Sequence, residues 1–203
     1  MKKSKAILMV VCAMLLVAAS VMGTLAYLTS SAYVTNTFSV GKVAITMDEA
    51  DVDDYGNVLL GDDETPLARV QANKYKLVPG HTYTKDPTIH VQAKSENCWV
   101  FVKIENGLGV DVTLENMNSK FEPLIVDNAH VDDVYYYEDI VPYSEDVTDL
   151  VVFTDFTFGQ TANPATYENA SIKVTGYAIQ ADGFDTAEEA WTASGFGRPA
   201  VAG

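Results

Sequence analysis

The run Cys98-Trp-Val-Phe-Val-Lys-Ile-Glu, which the sequence predicts as a strand over Asn97 to Glu105, constrains the fold more than any other stretch. In a strand, successive side chains point to opposite faces, so Cys98, Val100, Val102 and Ile104 share one face and Trp99 and Phe101 share the other. A strand that is apolar on both faces needs cover on both, which places it centrally with a layer on each side. Other strand signals surround it. Ile89, Val91 and Ala93 alternate after the turn pair Pro79-Gly80, with a further strand predicted over Tyr75 to Val78. Phe121 to Val126 and Val134 to Val141 are shorter candidates. Leu150, Val152, Phe156 and Phe158 predict one strand over Leu150 to Phe158, and Ile172, Val174 and Ala178 point inward from Ala170 to Ala181. Only one helix is predicted, from an Asp185 cap with Glu188 three residues on and Ala187, Ala190, Trp191 and Ser194 at helical spacing. About eight or nine short strands and one short C-terminal helix predict an all-β fold, an antiparallel β-sandwich.

The N-terminus carries a different signal. Lys2, Lys3 and Lys5 precede an uncharged run over residues 6–23, and Thr24 and Ala26 stand at the two positions a signal peptidase inspects. This pattern predicts a signal peptide over residues 1–26, cut between Ala26 and Tyr27. The competing reading retains the apolar run as a membrane anchor, since eighteen residues just span a bilayer. Beyond the cut, Leu28, Ala32, Val34, Phe38 and Val40 fall on even positions, one apolar face of an extended strand over residues 27–40. The phase then flips to Val43, Ile45 and Met47, the pattern of a β-bulge at Gly41-Lys42 that separates this arm from a domain over residues 41–203.

Three motifs give these features a family likeness. Gly-Thr-Leu-Ala-Tyr-Leu-Thr running into Asn36-Thr-Phe-Ser-Val-Gly-Lys-Val resembles the signal junction of the TasA/camelysin family of secreted Gram-positive proteins. Leu77-Val-Pro-Gly-His-Thr-Tyr-Thr-Lys-Asp-Pro-Thr-Ile-His-Val and Val174-Thr-Gly-Tyr-Ala-Ile-Gln-Ala-Asp-Gly-Phe are similar to the strand pair and C-terminal end of that family. The middle, Asn106 to Thr148, has no such match. The resemblance implies a dedicated ER-type signal peptidase and a jelly-roll subunit that polymerises into extracellular fibres of a biofilm matrix.

Charge and chemistry narrow the alternatives. The leader holds three of the 13 basic residues and none of the 28 acidic ones, so ten basic residues against 28 acidic leave the mature chain at −18. Such a surface repels nucleic acid and anionic membrane. Cys12 lies in the signal core and Cys98 in an apolar run, which reads as a buried structural thiol. No hydrophobic tail follows Gly195. The three histidines, His81, His90 and His130, lack the helical pairing of a zinc peptidase and are read as solvent-facing. No nucleophile elbow occurs, and the chain is expected to be non-enzymatic.

The run from Asp48 to Pro66 is dense in acid without a single basic residue. Within it, Asp51, Asp53, Asp54, Asp62 and Asp63 approach a calcium-loop pattern, although Tyr55 replaces an oxygen ligand and no helices flank it. Calcium is therefore the one candidate cofactor. The expected function is a secreted fibre subunit whose leading strand, freed by cleavage, joins the sheet of a neighbouring copy. Its partners would be itself, the signal peptidase and an anchoring or accessory matrix protein, with no membrane anchor after cleavage. The alternative is a monomeric envelope-associated domain that binds calcium or a surface polymer.

Overall fold

The computed structural model describes residue 7, residues 9–16 and residues 42–196. Contacts divide the chain into two units, Met1–Val40 and Gly41–Gly203. In the first, residues 9–16 form a short exposed helix, α1, which carries Cys12. Among the described residues, no helix is long and apolar enough to cross a membrane.

Antiparallel β-sheets dominate the second unit, with one helix near the C-terminus. The strands are β1 (Ile45–Asp48), β2 (Thr82–Thr84), β3 (Thr88–Val91), β4 (Cys98–Asn106), β5 (Val112–Glu115), β6 (Phe121–Val126), β7 (Ala129–Tyr137), β8 (Thr148–Val151), β9 (Asp155–Phe158) and β10 (Ile172–Gln180). They form three sheets, ordered β1-β3-β8, β10-β4-β7-β6 and β2-β9-β5. The expected central strand is β4, paired with β10 on one side and β7 on the other. Its two faces enter different cores. Cys98, Val100, Val102 and Ile104 pack with Ile89 and Val91 of β3 and Leu150 of β8. Trp99 and Phe101 pack instead with Leu124, Val134 and the helix residues Ala190 and Trp191. A third core joins Tyr83, Val112, Phe156 and Phe158 within the β2-β9-β5 sheet. Cys98 is wholly buried, and burial pushes its thiol pKa up to about 11, so it is an inert packing group.

Several elements depart from the sequence reading. The single strand expected over Leu150 to Phe158 is two strands in different sheets, because Val152 and Phe153 are both fully buried and break the alternation. The Val152 amide turns to donate to Pro87 O at 2.9 Å, which carries the chain from one sheet to the next. The stretch Tyr75 to Val78 joins no sheet. Two of its polar groups are met by one phenol, since Tyr83 Oη accepts from the Val78 amide at 2.6 Å and donates to Lys76 O at 2.7 Å, while the Lys76 amide donates to Asp54 O at 2.8 Å. The strand expected over Val134 to Val141 begins earlier, at Ala129. Asp127 and Asn128 both adopt positive φ, the conformation of a two-residue hairpin turn, and so bring β6 directly into β7. Val141 instead makes a lone bridge to Cys98.

The helix α2 (Ala187–Ser194) is capped one residue later than expected. Thr186 Oγ1 accepts from the Glu189 amide at 3.2 Å, and Glu189 Oε2 accepts from the Asp185 amide at 2.9 Å. Glu188 does not close the box. Its Oε1 accepts from the Asp127 amide at 2.9 Å and ties the helix to the β6–β7 turn.

Candidate functional site

The four-stranded sheet has two edges of opposite character. On one, β6 carries Pro123 and an irregular register between Pro123 and Ile125, both of which obstruct pairing with another strand. The other edge, β10, has neither a proline nor a bulge. Its register with β4, together with the bonds Gly107 N to Ser171 O and Ala181 N to Asn97 O, fixes which groups are used. Odd-numbered residues of β10 bond to β4. The N–H and C=O groups of Ile172, Val174, Gly176 and Ala178 therefore point away from it. Among the described residues, no strand takes them up.

A second edge without a partner strand among the described residues lies beside the first. In β1, the bond from Gln92 N to Ala44 O assigns the even-numbered residues to β3, leaving the backbone groups of Ile45 and Met47 directed outward. Gly176 marks the close approach of the two edges: a Cβ there would lie 3.2 Å from Ile89 Cγ1 and 3.5 Å from Ile45 Cδ1, so only glycine fits without displacement. Ile45, Met47, Ile172, Val174 and Ala178 all pack against the first core but remain half-buried. The core is thus less covered where the two edge strands meet.

From the start of β10 a groove of about 960 Å³ runs to the irregular segment 71–77. Leu77, Tyr75, Phe156 and Tyr167 supply its apolar lining, and Glu49 and Lys85 lie at its base. Glu49 and Lys85 are paired, each at least nine-tenths buried. Asn73 Nδ2 donates to the other oxygen of Glu49 at 2.9 Å and to Ala50 O at 2.8 Å. Both carboxylate oxygens are satisfied, as a buried charge requires. The Tyr75 hydroxyl donates to Thr84 O at 3.0 Å. Burial, reinforced by the charges of Glu49 and Asp86, raises its pKa and keeps it protonated.

The residues singled out from the sequence are distributed as follows. Thr24, Ala26 and Tyr27, and the arm residues Leu28, Ala32, Val34, Phe38 and Val40, lie outside the described residues, as does Gly41 of the expected bulge. Asp51, Asp53, Asp54, Asp62 and Asp63 lie on a lobe between β1 and Val70. Asp53 closes a turn by accepting from the Tyr55 and Asn57 amides, each at 2.9 Å, and Asp63 does the same for Thr65 Oγ1 at 2.7 Å. Hydrogen bonds from Asn57 and from Thr65 respectively hold both carboxyls below their ordinary pKa. Among the described residues, no three His, Cys, Asp or Glu side chains are grouped to hold one metal ion.

His90 corrects the expectation of solvent-facing histidines. Its Nδ1 lies 2.6 Å from Asp149 Oδ1 and its Nε2 2.9 Å from Asp48 Oδ1, the latter away from ideal hydrogen-bond alignment. Arg69 Nε binds the same Asp48 oxygen at 2.5 Å, and its Nη1 reaches Asp86 at 2.8 Å. Sequence reasoning missed this cluster because its members come from separate strands, and only register brings His90 opposite Asp149. Burial alone would lower the His90 pKa, but hydrogen bonds and charge from Asp48 and Asp149 outweigh it and raise the value above 6.5. A raised histidine pKa stabilises the fold fully below pH 6.5, and that gain disappears as pH rises through the raised value. Relative to His90→Gln, the native protein should therefore be more stable by about 1 kcal/mol at pH 5.5 and lose that advantage at pH 9. Urea melts across this range would show it; a constant difference would assign His90 a packing role only.

No family model matches the chain, and neither a curated protein nor a solved structure does.

Proposed function

We propose that this protein is a secreted structural subunit that polymerises by strand addition. In this reading the domain is a jelly-roll-like sandwich, the leader over residues 1–26 is removed, and the arm over residues 27–40 of one copy pairs with an open edge of the next. The supporting observation is the asymmetry of the edges: β6 is obstructed by Pro123 and a bulge, whereas alternate residues of β10 present backbone groups that no strand among the described residues takes up, beside a half-covered core. An open edge supplies hydrogen bonds, and an exposed apolar margin selects a strand with one apolar face. The even-numbered face of Leu28, Ala32, Val34, Phe38 and Val40 has that character. Because donor and acceptor are different surfaces, the contact is head-to-tail and propagates as a filament.

The likeness to the TasA/camelysin family points the same way, towards an extracellular matrix fibre with an anchoring or accessory partner. Deleting residues 27–37, downstream of an intact leader, should leave the exported domain folded and monomeric. Negative-stain electron microscopy should then show no fibres. Fibres in undiminished yield would refute strand donation.

A further inference from the structure

Glu49 and Lys85 are the only charged residues buried among those described, and Glu49 also meets a third polar side chain, Asn73. The three come from separate places: Glu49 follows β1, Asn73 lies on the irregular segment 71–77, and Lys85 follows β2. One carboxylate joins them. Lys85 Nζ donates to Glu49 Oε2, and Asn73 Nδ2 donates to Glu49 Oε1 at 2.9 Å. The Asn73 amide is fixed at both ends: Ala50 O accepts from its Nδ2 at 2.8 Å, and the Val52 amide donates to its Oδ1 at 3.1 Å. A lysine ammonium has three donors, yet Glu49 is the one acceptor that Lys85 Nζ meets among the described residues. An amine nucleophile, an amide carbonyl with a donor on its oxygen, and a carboxyl group touching both nitrogens thus share one buried site.

We propose that Lys85 and Asn73 become joined by an isopeptide bond, with Glu49 as the proton carrier. Burial favours passing a proton from Lys85 Nζ to Glu49, because the neutral pair has no charge to solvate. The freed amine attacks Asn73 Cγ, and the Val52 N–H meets the charge that develops on Oδ1. Glu49 gives its proton to Nδ2, the Cγ–Nδ2 bond breaks and ammonia leaves. Glu49 then takes the surplus proton of the attacking nitrogen. The step needs no co-reactant: an ammonium, a carboxylate and a primary amide become a secondary amide, a carboxylic acid and ammonia. Ammonia departs through the groove that these residues line. The bond ties segment 71–77 to the β2–β3 connection. It uses neither the arm nor the β10 edge, and so stands apart from strand donation. The ion pair described above is the state before this step, and its strength is read on chain that has not yet lost ammonia.

Mass spectrometry of the purified full chain, denatured, should show a species lighter by one ammonia than the sequence requires. Trypsin should release residues 70–74 joined to residues 77–94, the latter uncut after Lys85. Asn73→Asp should form the same link with loss of one water instead, and Lys85→Arg should keep its full mass. Glu49→Gln should link more slowly by roughly tenfold or more, with circular dichroism reporting that the variants are folded. A native chain of full mass overturns the proposal without reference to any variant. So does a missing ammonia that maps to Asn106-Gly107 as a succinimide, with residues 70–74 released unjoined. Ammonia loss that persists at Asn73 in Lys85→Arg, or linking in Glu49→Gln at the native rate, also overturns it.

Discussion

Val174→Pro should abolish the proposed assembly and leave the domain folded, whereas Thr175→Pro, one residue along, should unfold it. The reason is the register of β10. The amide of Thr175 belongs to an odd-numbered residue and bonds to β4 opposite Lys103, in the middle of the central sheet. Proline there removes a ladder bond and forces its ring against the neighbouring strand, a cost of about 3 kcal/mol or more. The Val174 amide points to the open edge, where proline is tolerated but any incoming strand is denied a donor. Val174→Ala separates the loss of the side chain from the loss of the amide, and should assemble. Circular dichroism would report the fold and light scattering the assembly. If Val174→Pro assembles as well as the native protein, β10 is not the acceptor edge.

Lys85→Met should be among the most damaging single substitutions in the domain, costing about 3–5 kcal/mol. It leaves the buried Glu49 carboxylate with Asn73 as its one remaining side-chain partner among the described residues. An uncompensated buried charge is far costlier than the ion pair is favourable, since the pair barely repays its own desolvation. The double variant Glu49→Leu/Lys85→Met removes both charges and should recover most of the loss, to within about 2 kcal/mol of the native protein. Against a total stability of roughly 5–15 kcal/mol for a domain of this size, the single variant should shift a denaturant midpoint visibly. Additive losses in the double variant would show that packing at the groove base, not charge pairing, holds this region.

How much was legible varied with how local the information is. The two-faced pattern of Cys98 to Glu105 placed β4 between two cores because alternation is written in consecutive residues. The inward set Ile172, Val174 and Ala178 was readable for the same reason. The split at Val152 and Phe153 was not, since two buried neighbours look like a continuous apolar strand until a second sheet receives one of them. Tyr75 to Val78 reads as a strand by composition, yet one tyrosine hydroxyl supplies bonds that a neighbouring strand would otherwise provide.

The sequence by itself determined the apolar run over residues 6–23, the acidic balance and the central strand, because each is a property of composition or short-range periodicity. Tertiary structure alone decided which edge has no partner strand among the described residues, that Glu49 meets Lys85 across 36 residues, and that His90 lies between Asp48 and Asp149. Those outcomes depend on strand register and pairing order. Both are set by the packing of residues far apart in the chain, and local pattern holds no record of them.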